Sequence, residues 1–500
     1  MQSNQHSNRG IREVMPLRHK GSIAIVALIC FVVVMLTLTS LWAAYELGPP
    51  VGAMTSVALS GLLIIAALTL AGGHDLLVPA LFLCLLFPLN KGLGPSGLVV
   101  YGFDIMLICL YAVWFYRAAG GSSAWIRISH VEILALALIS WLFVSAAFGT
   151  DPSNSLNGAL YFLRLYLLYL YVANNINSSR AVKWVLLSLL FLLAVQSSVA
   201  LVQYVTKTNV GSLSDLVGET IGSVREVEVA TGYLFRVRGT LTTDTALAQW
   251  FDLLLPFTFS LVLSRRINRT TRTFVLLLLG MGLVALILTF TRGAWVGSLA
   301  GMTAVIALWL RNRWYRLANL LFVLSLAAVA GIVILPLSGL VLTRWSGTEE
   351  DSLMVRKNLN TAALGMISQR PIFGVGWDNF ANEAPDFGVG LSWQREGAIH
   401  KAHNLYLAIA SEAGLPGLIV FVGLLLALFR TGWNTLHLND PWSEALTIGI
   451  LGSFVAVLVH GFVAWGLVTY SVFPLLWILM GLLVALNRLS EASDPSYETG

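Results

Sequence analysis

The sequence predicts an all-α integral membrane protein of about 12–14 transmembrane helices, with a large, partly helical outward loop. Three observations predict this class. Hydrophobic residues make up 57% of the 500 and charged residues only 11%, against roughly 25% charged in soluble globular chains. Such a chain cannot cover a folded surface in water. Apolar runs long enough to cross about 30 Å of hydrocarbon recur along almost its whole length. The basic residues also cluster in alternate connections, at Arg9 to Lys20, at Arg117 and Arg127, at Arg265, Arg266, Arg269 and Arg272, and at Arg311, Arg313 and Arg316. That is the positive-inside bias that orients helices during insertion.

Taken in order, a cytoplasmic tail over 1–21 precedes a transmembrane bundle over 22–337. The first apolar run, Ser22 to Tyr45, is too long for a signal-peptide core and is read as a retained helix. Further runs fall at 51–71, 76–89, 98–116, 131–148, 158–176, 184–204, 245–264, 273–290, 294–310 and 317–337. The run at 76–89 is short and holds Pro79 and Pro88, so it reads as re-entrant or merged with its neighbour. An outward loop at about 205–244 interrupts the bundle. A second outward loop spans 338–402, C-terminal membrane helices occupy 403–487, and a cytoplasmic tail follows over 488–500.

The larger loop carries its own helix signal. Thr348 is a capping residue, and Glu349, Glu350 and Asp351 favour the positive end of a helix dipole. Val355, Leu359, Ala362 and Met366 then recur at helical spacing until Pro371. The expectation is an amphipathic helix lying on the outer membrane surface over the bundle.

The basic balance, with a sequence pI of about 9.1, is topological and implies no nucleic-acid partner. Cys30, Cys84 and Cys109 all fall inside apolar runs, so no disulfide framework is expected. Asp104, Arg164 and Asp252 are candidate intramembrane charges, functional or held in internal ion pairs with partners that sequence does not assign. Glu412, nine residues after His403, lies about 13 Å further along a helix and on roughly the opposite face. It reads as a packing or hydrogen-bonding group near the Gly414–Gly417 bend.

Three polar stretches stand out at outward helix edges. They are Phe235-Arg236-Val237-Arg238-Gly239-Thr240-Leu241, Thr291-Arg292-Gly293-Ala294-Trp295, and His403-Asn404-Leu405-Tyr406-Leu407 followed by Glu412 to Gly417. An arginine at mid-membrane costs about 2.5–3.5 kcal/mol on insertion scales. Repeated arginines on one outward face therefore point to an anionic ligand there. The guanidinium fork suits phosphate oxygens, and a histidine at the same level can accept a hydroxyl proton near neutral pH. His400 stands three residues before His403, but no cysteine or familiar ligand spacing completes a zinc shell around them, so no metal site is expected.

In order and spacing these stretches resemble the O-antigen ligase and O-antigen polymerase superfamily of bacterial membrane glycosyltransferases. Arg356, Ala363-Leu364-Gly365-Met366-Ile367 and Arg370-Pro371-Ile372-Phe373-Gly374-Val375-Gly376-Trp377 are similar to that family's approach to its outward histidine. The resemblance covers about 235–420. It implies that Arg236 and Arg292, with Arg238 as a further basic neighbour, hold a diphosphate, and that His403 activates the acceptor hydroxyl. It implies no cofactor and no metal, a polyprenyl-diphosphate-linked glycan as donor, and a site facing outward from the bacterial cytoplasmic membrane. The acceptor is lipid A-core sugar, a growing glycan or a protein hydroxyl. Where the family commonly shows Asn-Pro-Asn, this chain has Thr243-Asp244-Thr245. The alternative class is a lipid-linked oligosaccharide flippase or other polytopic transporter, although transporters bind near the midplane between related halves and no internal repeat is visible.

Overall fold

The computed structural model describes residues 81, 85, 90–93, 98–119, 126–208, 226–229, 232–264, 266–311, 350–389, 401–438, 441–464 and 471–493, all within the compact unit Val78–Gly500. The runs predicted at 22–45, 51–71 and 317–337, most of 76–89, and the Thr348 cap and His400 lie outside the described residues.

The described elements run in chain order as β1 (Asn90–Leu93), β2 (Leu98–Tyr101), α1 (Gly102–Ala119), α2 (His130–Ala147), α3 (Pro152–Asn175) and α4 (Ser179–Thr206). Then follow β3 (Glu226–Val229), β4 (Gly232–Phe235), α5 (Asp244–Leu263), α6 (Arg269–Leu288), α7 (Arg292–Leu310) and α8 (Glu350–Gln369). The short α9 (Phe380–Glu383) leads to α10 (Leu405–Thr435), α11 (Pro441–His460) and α12 (Phe473–Ser493). Nine of these helices, α2 to α7 and α10 to α12, are long and apolar enough to cross a membrane, and α1 adds a shorter apolar helix. The chain is an all-α, multi-pass membrane protein. Two antiparallel hairpins, β1–β2 and β3–β4, are the exceptions the hydropathy reading did not anticipate. Each strand has four residues, too few for an apolar period to register.

Helix starts follow ordinary capping chemistry. Ser129 and Glu132 form a reciprocal capping box at α2, Asp151 caps α3 with a proline at its first position, and Asn268 caps α6. In each case a side-chain oxygen accepts from amides that have no partner within the helix.

Helix α5 is the centre of the bundle, buried along its length and packed by α4, α6, α7 and α11. The tightest pairing is α7 on α11, and glycines allow it. A Cβ at Gly301 would stand 2.5 Å from the Gly452 carbonyl oxygen, and one at Gly297 2.6 Å from that of Ala456. Small residues that let backbones approach are a usual way to pack helices where lipid offers no hydrophobic drive.

Because the spans alternate in direction, the connections sort to two ends. At one end Arg488 donates to Glu132 at 2.7 Å, to the Ala173 carbonyl at 2.9 Å and to the Arg127 carbonyl at 3.0 Å. Arg272 donates to the Ser264 carbonyl at 2.7 Å there, and Arg311 lies 4.0 Å from Glu444. The three polar stretches occupy the opposite end. Two of the intramembrane charges find each other: Arg164 on α3 is 3.6 Å from Asp104 on α1.

Helix α8 forms where the spacing predicts it, but its apolar face meets protein rather than lipid. Leu359, Ala362, Ala363 and Met366 are buried in a small core with Phe380, Ala384, Val389, Ala402 and Ala408. That face is filled by the loop's own residues and the start of α10, while Met354 and Leu364 of the same helix are exposed.

Candidate functional site

The first polar stretch follows β4 directly. Arg236, half-buried, forms an ion pair with Asp244 and donates from Nε to the Thr289 carbonyl at 2.8 Å and from Nη2 to the Thr291 hydroxyl at 3.0 Å. The Val237 amide donates to Leu288 at 3.3 Å. The arginine is thus tied to the residues just before Arg292, across more than fifty positions of chain. Gly239, at φ 62°, turns the backbone so that Gln203 of α4 holds the Arg238 and Gly239 amides at 3.0 and 2.9 Å. The Thr243-Asp244-Thr245 departure acquires a physical role here. Thr243 caps α5 through the Ala246 amide at 3.1 Å, and Asp244 supplies the counter-charge to Arg236.

The second stretch opens α7. Phe290, buried at φ 52°, reverses the chain after α6, and Arg292 is the first residue of the new helix. Thr291 makes no side-chain cap, but its carbonyl accepts from the Ala294 and Trp295 amides at 3.1 and 3.3 Å. Gly293 is required by its neighbour: a Cβ there would stand 2.7 Å from Cδ2 and 2.9 Å from Nε2 of His460.

His460 is the residue that sequence reasoning missed. It ends α11, is 3% exposed, and its Nδ1 lies 2.6 Å from the Asp252 carboxylate on α5, which is fully buried. Ser298 on α7 donates to the other carboxylate oxygen at 2.7 Å. Asp252 was legible as an intramembrane charge; its partner stands 208 positions away, inside an apolar run.

The third stretch closes over the same corner. Asn404 caps α10 through the Tyr406 and Leu407 amides at 2.9 and 3.1 Å and donates to the Phe462 carbonyl at 3.1 Å. The Leu405 amide donates to the Gly461 carbonyl at 2.7 Å, and the Tyr406 hydroxyl to Leu458 at 3.1 Å. His403, half-buried, is thereby fixed beside the end of α11. The second and third stretches reach residues 458–463, through Gly293 against His460 and Val463 and through Leu405 bonded to Gly461, and the first is tied to the second at the 289–291 turn.

A buried lysine ties down the loop two residues before His403. Lys401 forms ion pairs with Asp378, at 2.9 Å, and with Glu412, and lies 4.2 Å from the Trp377 ring centre. Burial works to lower the lysine's pKa, but the Asp378 and then the Glu412 carboxylate outweigh it and hold it above the ordinary value. Glu412 does not orient the histidine directly. It acts through the loop two residues before it, as a hydrogen-bonding group near the bend. The bend is at Gly414, whose φ is 73°. Residues 371–376 thread alongside it, with Val375 donating to the Ser411 carbonyl and Gly376 to that of Glu412, both at 2.9 Å, and Leu415 to that of Pro371 at 2.8 Å.

Among the described residues no three His, Cys, Asp or Glu side chains gather as a metal site. Residues 274–422 match the family model described as O-antigen ligase. The match takes in Arg292, Trp377, His403 and Glu412, but not Arg236, Asp252 or His460. No curated protein matches the chain. The family points to enzymes of the ligase and polymerase type, acting in general on a lipid-linked glycan and an acceptor. Residues 274–422 are therefore similar to the O-antigen ligase family, and they lie within a bundle of membrane-spanning helices.

Proposed function

We propose that the protein transfers a glycan from a polyprenyl diphosphate to a hydroxyl acceptor at the outer face of a bacterial cytoplasmic membrane. The observation that carries this reading is the meeting of the Arg236, Arg292 and His403 stretches at one end of the bundle, opposite the end that holds Arg127, Arg272, Arg311 and Arg488. By the positive-inside bias, the end with the basic clusters is cytoplasmic and the site faces outward.

In the reaction, His403 accepts the proton of the acceptor hydroxyl as its oxygen bonds to the anomeric carbon of the donor. The bond from that carbon to the diphosphate oxygen breaks, and the polyprenyl diphosphate leaves with the electron pair. Arg236 and Arg292, with Arg238 nearby, stabilise the charge on the leaving diphosphate. Donors fixed in place before the reaction need no reorganisation as charge develops. Arg236 meets that condition, because Asp244, Thr289 and Thr291 hold its guanidinium. On this reading the arginines carry the leaving-group charge that a bound cation would otherwise carry, so the reaction is proposed to run without a metal.

Purified full-length protein with a defined polyprenyl-diphosphate glycan and chelator tests this. Lipid A-core, a second lipid-linked repeat and a hydroxyl-bearing peptide are offered in turn. The expected result is a glycosylated product and free polyprenyl diphosphate in equal amounts with one of them. No product with any acceptor, together with movement of the intact donor across a vesicle bilayer, would establish the flippase alternative instead. Rescue of a chelator-silenced reaction by one divalent ion would end the metal-free assignment.

A further inference from the structure

Three features lie outside the chemistry assigned above: the Lys401 clamp, an apolar crevice lined by Leu142, Trp377, Leu405, Phe454 and Trp477, and the side chain of Gln249 on α5. The clamp is satisfied within the protein, and nothing in the structure shows what covers the crevice. Gln249 is different. It is 2% exposed, yet among the described residues neither its Oε1 nor its Nε2 has a hydrogen-bond partner, and no other buried side chain there has two such atoms. Buried polar groups are paired in the great majority of cases, so an amide left open at both ends points to a partner from outside the chain.

The packing of α5 shows which way that amide faces. Seven positions further along, on the same line of the helix, Pro256 sits in the seam between α7 and α11. A Cβ at Gly301 would stand 2.9 Å from its Cγ, and one at Gly452 3.3 Å from its Cβ. Asp252, between the two on the same face, bonds to Ser298 of α7 and to His460 of α11. Helices α5 and α7 start at the end that holds the three polar stretches, and α11 finishes there. Two turns back from Pro256, Gln249 therefore faces the seam at the level of Arg292–Ala294 on α7 and of Val459–Gly461 on α11. That is the corner beside which the Leu405–Gly461 bond sets His403. Asp244, the counter-charge of Arg236, stands five positions before Gln249 on the same helix.

We propose that Gln249 is a specificity-determining contact for the donor's first sugar, the one joined to the diphosphate, with Nε2 donating to and Oε1 accepting from its hydroxyls. This rests on the donor assignment given under Proposed function and adds a residue outside the matched family segment. The match is one of chemistry. A phosphoryl group offers acceptors only and would leave Oε1 unpaired, and a prenyl chain offers neither donor nor acceptor. A sugar hydroxyl both donates and accepts. The first sugar also carries the reacting carbon, so it lies between the arginines and His403, the interval that Gln249 faces. The amide takes part through hydrogen bonds alone, and no covalent bond is made or broken at it.

The test is transfer kinetics with the full-length protein in nanodiscs. The donors are a polyprenyl-diphosphate glycan of defined first sugar and a set in which that sugar lacks one hydroxyl away from the reacting carbon. With the wild type, at least one deoxy donor should lose roughly ten- to hundredfold in kcat/KM, the scale of a hydrogen bond whose buried partner is left unpaired. Gln249→Met, close in volume and without the amide, should lose a similar factor on the parent donor and treat that deoxy donor no worse than the parent. Its Tm should equal or exceed the wild-type value, because an unpaired buried amide has been removed, and that separates lost recognition from lost structure. A Gln249→Met protein with wild-type kcat/KM on the parent donor overturns the inference, the amide then holding no more than a buried water. So does a slower one that still discriminates between parent and deoxy donors as the wild type does. If Gln249→Met does not fold, Gln249→Asn, which draws the amide back by one carbon, carries the same readout. A wild type indifferent to every deoxy donor overturns the inference without any variant and leaves the donor assignment standing. A wild type that transfers glycan from no polyprenyl diphosphate removes both.

Discussion

The Leu405 amide donates to the Gly461 carbonyl across 2.7 Å, so the residue two places after His403 is fixed to the residue one place after His460. Two histidines from segments more than fifty positions apart are thereby set at one corner of the bundle. Arg292 enters the same corner through Gly293, which leaves room for the His460 ring.

His403→Ala should lower turnover by about 10²–10⁴-fold, the usual contribution of a general base. Insertion and donor binding should persist, because a half-buried residue before a helix cap anchors little of the core. His400→Ala should have a much smaller effect. A steady-state assay of both variants decides it, and near-normal turnover for His403→Ala beside an inactive His400→Ala would exchange their roles.

Arg292→Lys keeps the charge and loses the planar fork. Donor KM should rise while protein abundance stays unchanged. Unaltered KM and rate would make Arg292 a contact for lipid headgroups instead.

Lys401→Met leaves the buried Glu412 and the partly exposed Asp378 without their cation, a loss of roughly 3–5 kcal/mol for a broken buried pair. Thermal unfolding at neutral pH should show it as a clear drop in Tm. The wild-type pH profile follows from the direction of the lysine's shift. A raised value in the folded protein means the stabilisation is complete below the ordinary lysine value of 10.5 and is lost as pH climbs through the raised one. The loss of the lysine's charge should therefore lower Tm only in strong alkali, above pH 10.5. A wild-type Tm with no alkaline loss beyond that of Lys401→Met would refute it.

Gly414→Ala meets two obstacles at once, a φ of 73° and the Ile372 carbonyl oxygen in the path of a Cβ. A left-handed residue with a Cβ costs about 1–2 kcal/mol before any clash. The variant should unfold at lower temperature and turn over more slowly, since the displaced backbone carries the 371–376 segment and the Lys401 clamp with it. A variant with wild-type Tm and rate would show that the bend tolerates a side chain.

Single cysteines near Arg269 and near Asp386, in a cysteine-free background, should label from opposite sides of the membrane. Labelling from the same side would reverse the assignment of the outward face.

Much of this was legible in the sequence, for identifiable reasons. The nine described spans follow from runs of apolar residues, which the bilayer requires whatever the tertiary packing. The Arg236, Arg292 and His403 stretches stand out because polar residues at an apolar edge have few structural explanations. His460 does not stand out, since one histidine near the end of an apolar run has many. Its meaning comes from Asp252, two hundred residues earlier, and only the packing of α5 against α11 joins them. Lys401 and Glu412 failed to register as a pair for another reason. Helical spacing separates Glu412 from His403, while the lysine that links them lies in the loop before the helix, where spacing carries no information. The destination of the α8 apolar face was likewise set by residues 380–408, beyond the reach of its own periodicity.

The break at Gly414 also bears on bilayer thickness. Leu405–Thr435 has 31 residues, about 46 Å if straight, against a hydrocarbon layer of about 30 Å. Split at Gly414, only the part from Leu415 to Thr435 has to match the bilayer, at about 31 Å. The part from Leu405 to Ala413 bridges from the end of α11, through Leu405 to Gly461, to α2, where Trp141 donates to the Ala413 carbonyl at 2.7 Å. A thicker or thinner membrane can then be accommodated by tilting the longer piece about its glycine hinge. The shorter piece, with His403 at its start, stays pinned to its neighbours, so the geometry of the site is insulated from the lipid around it.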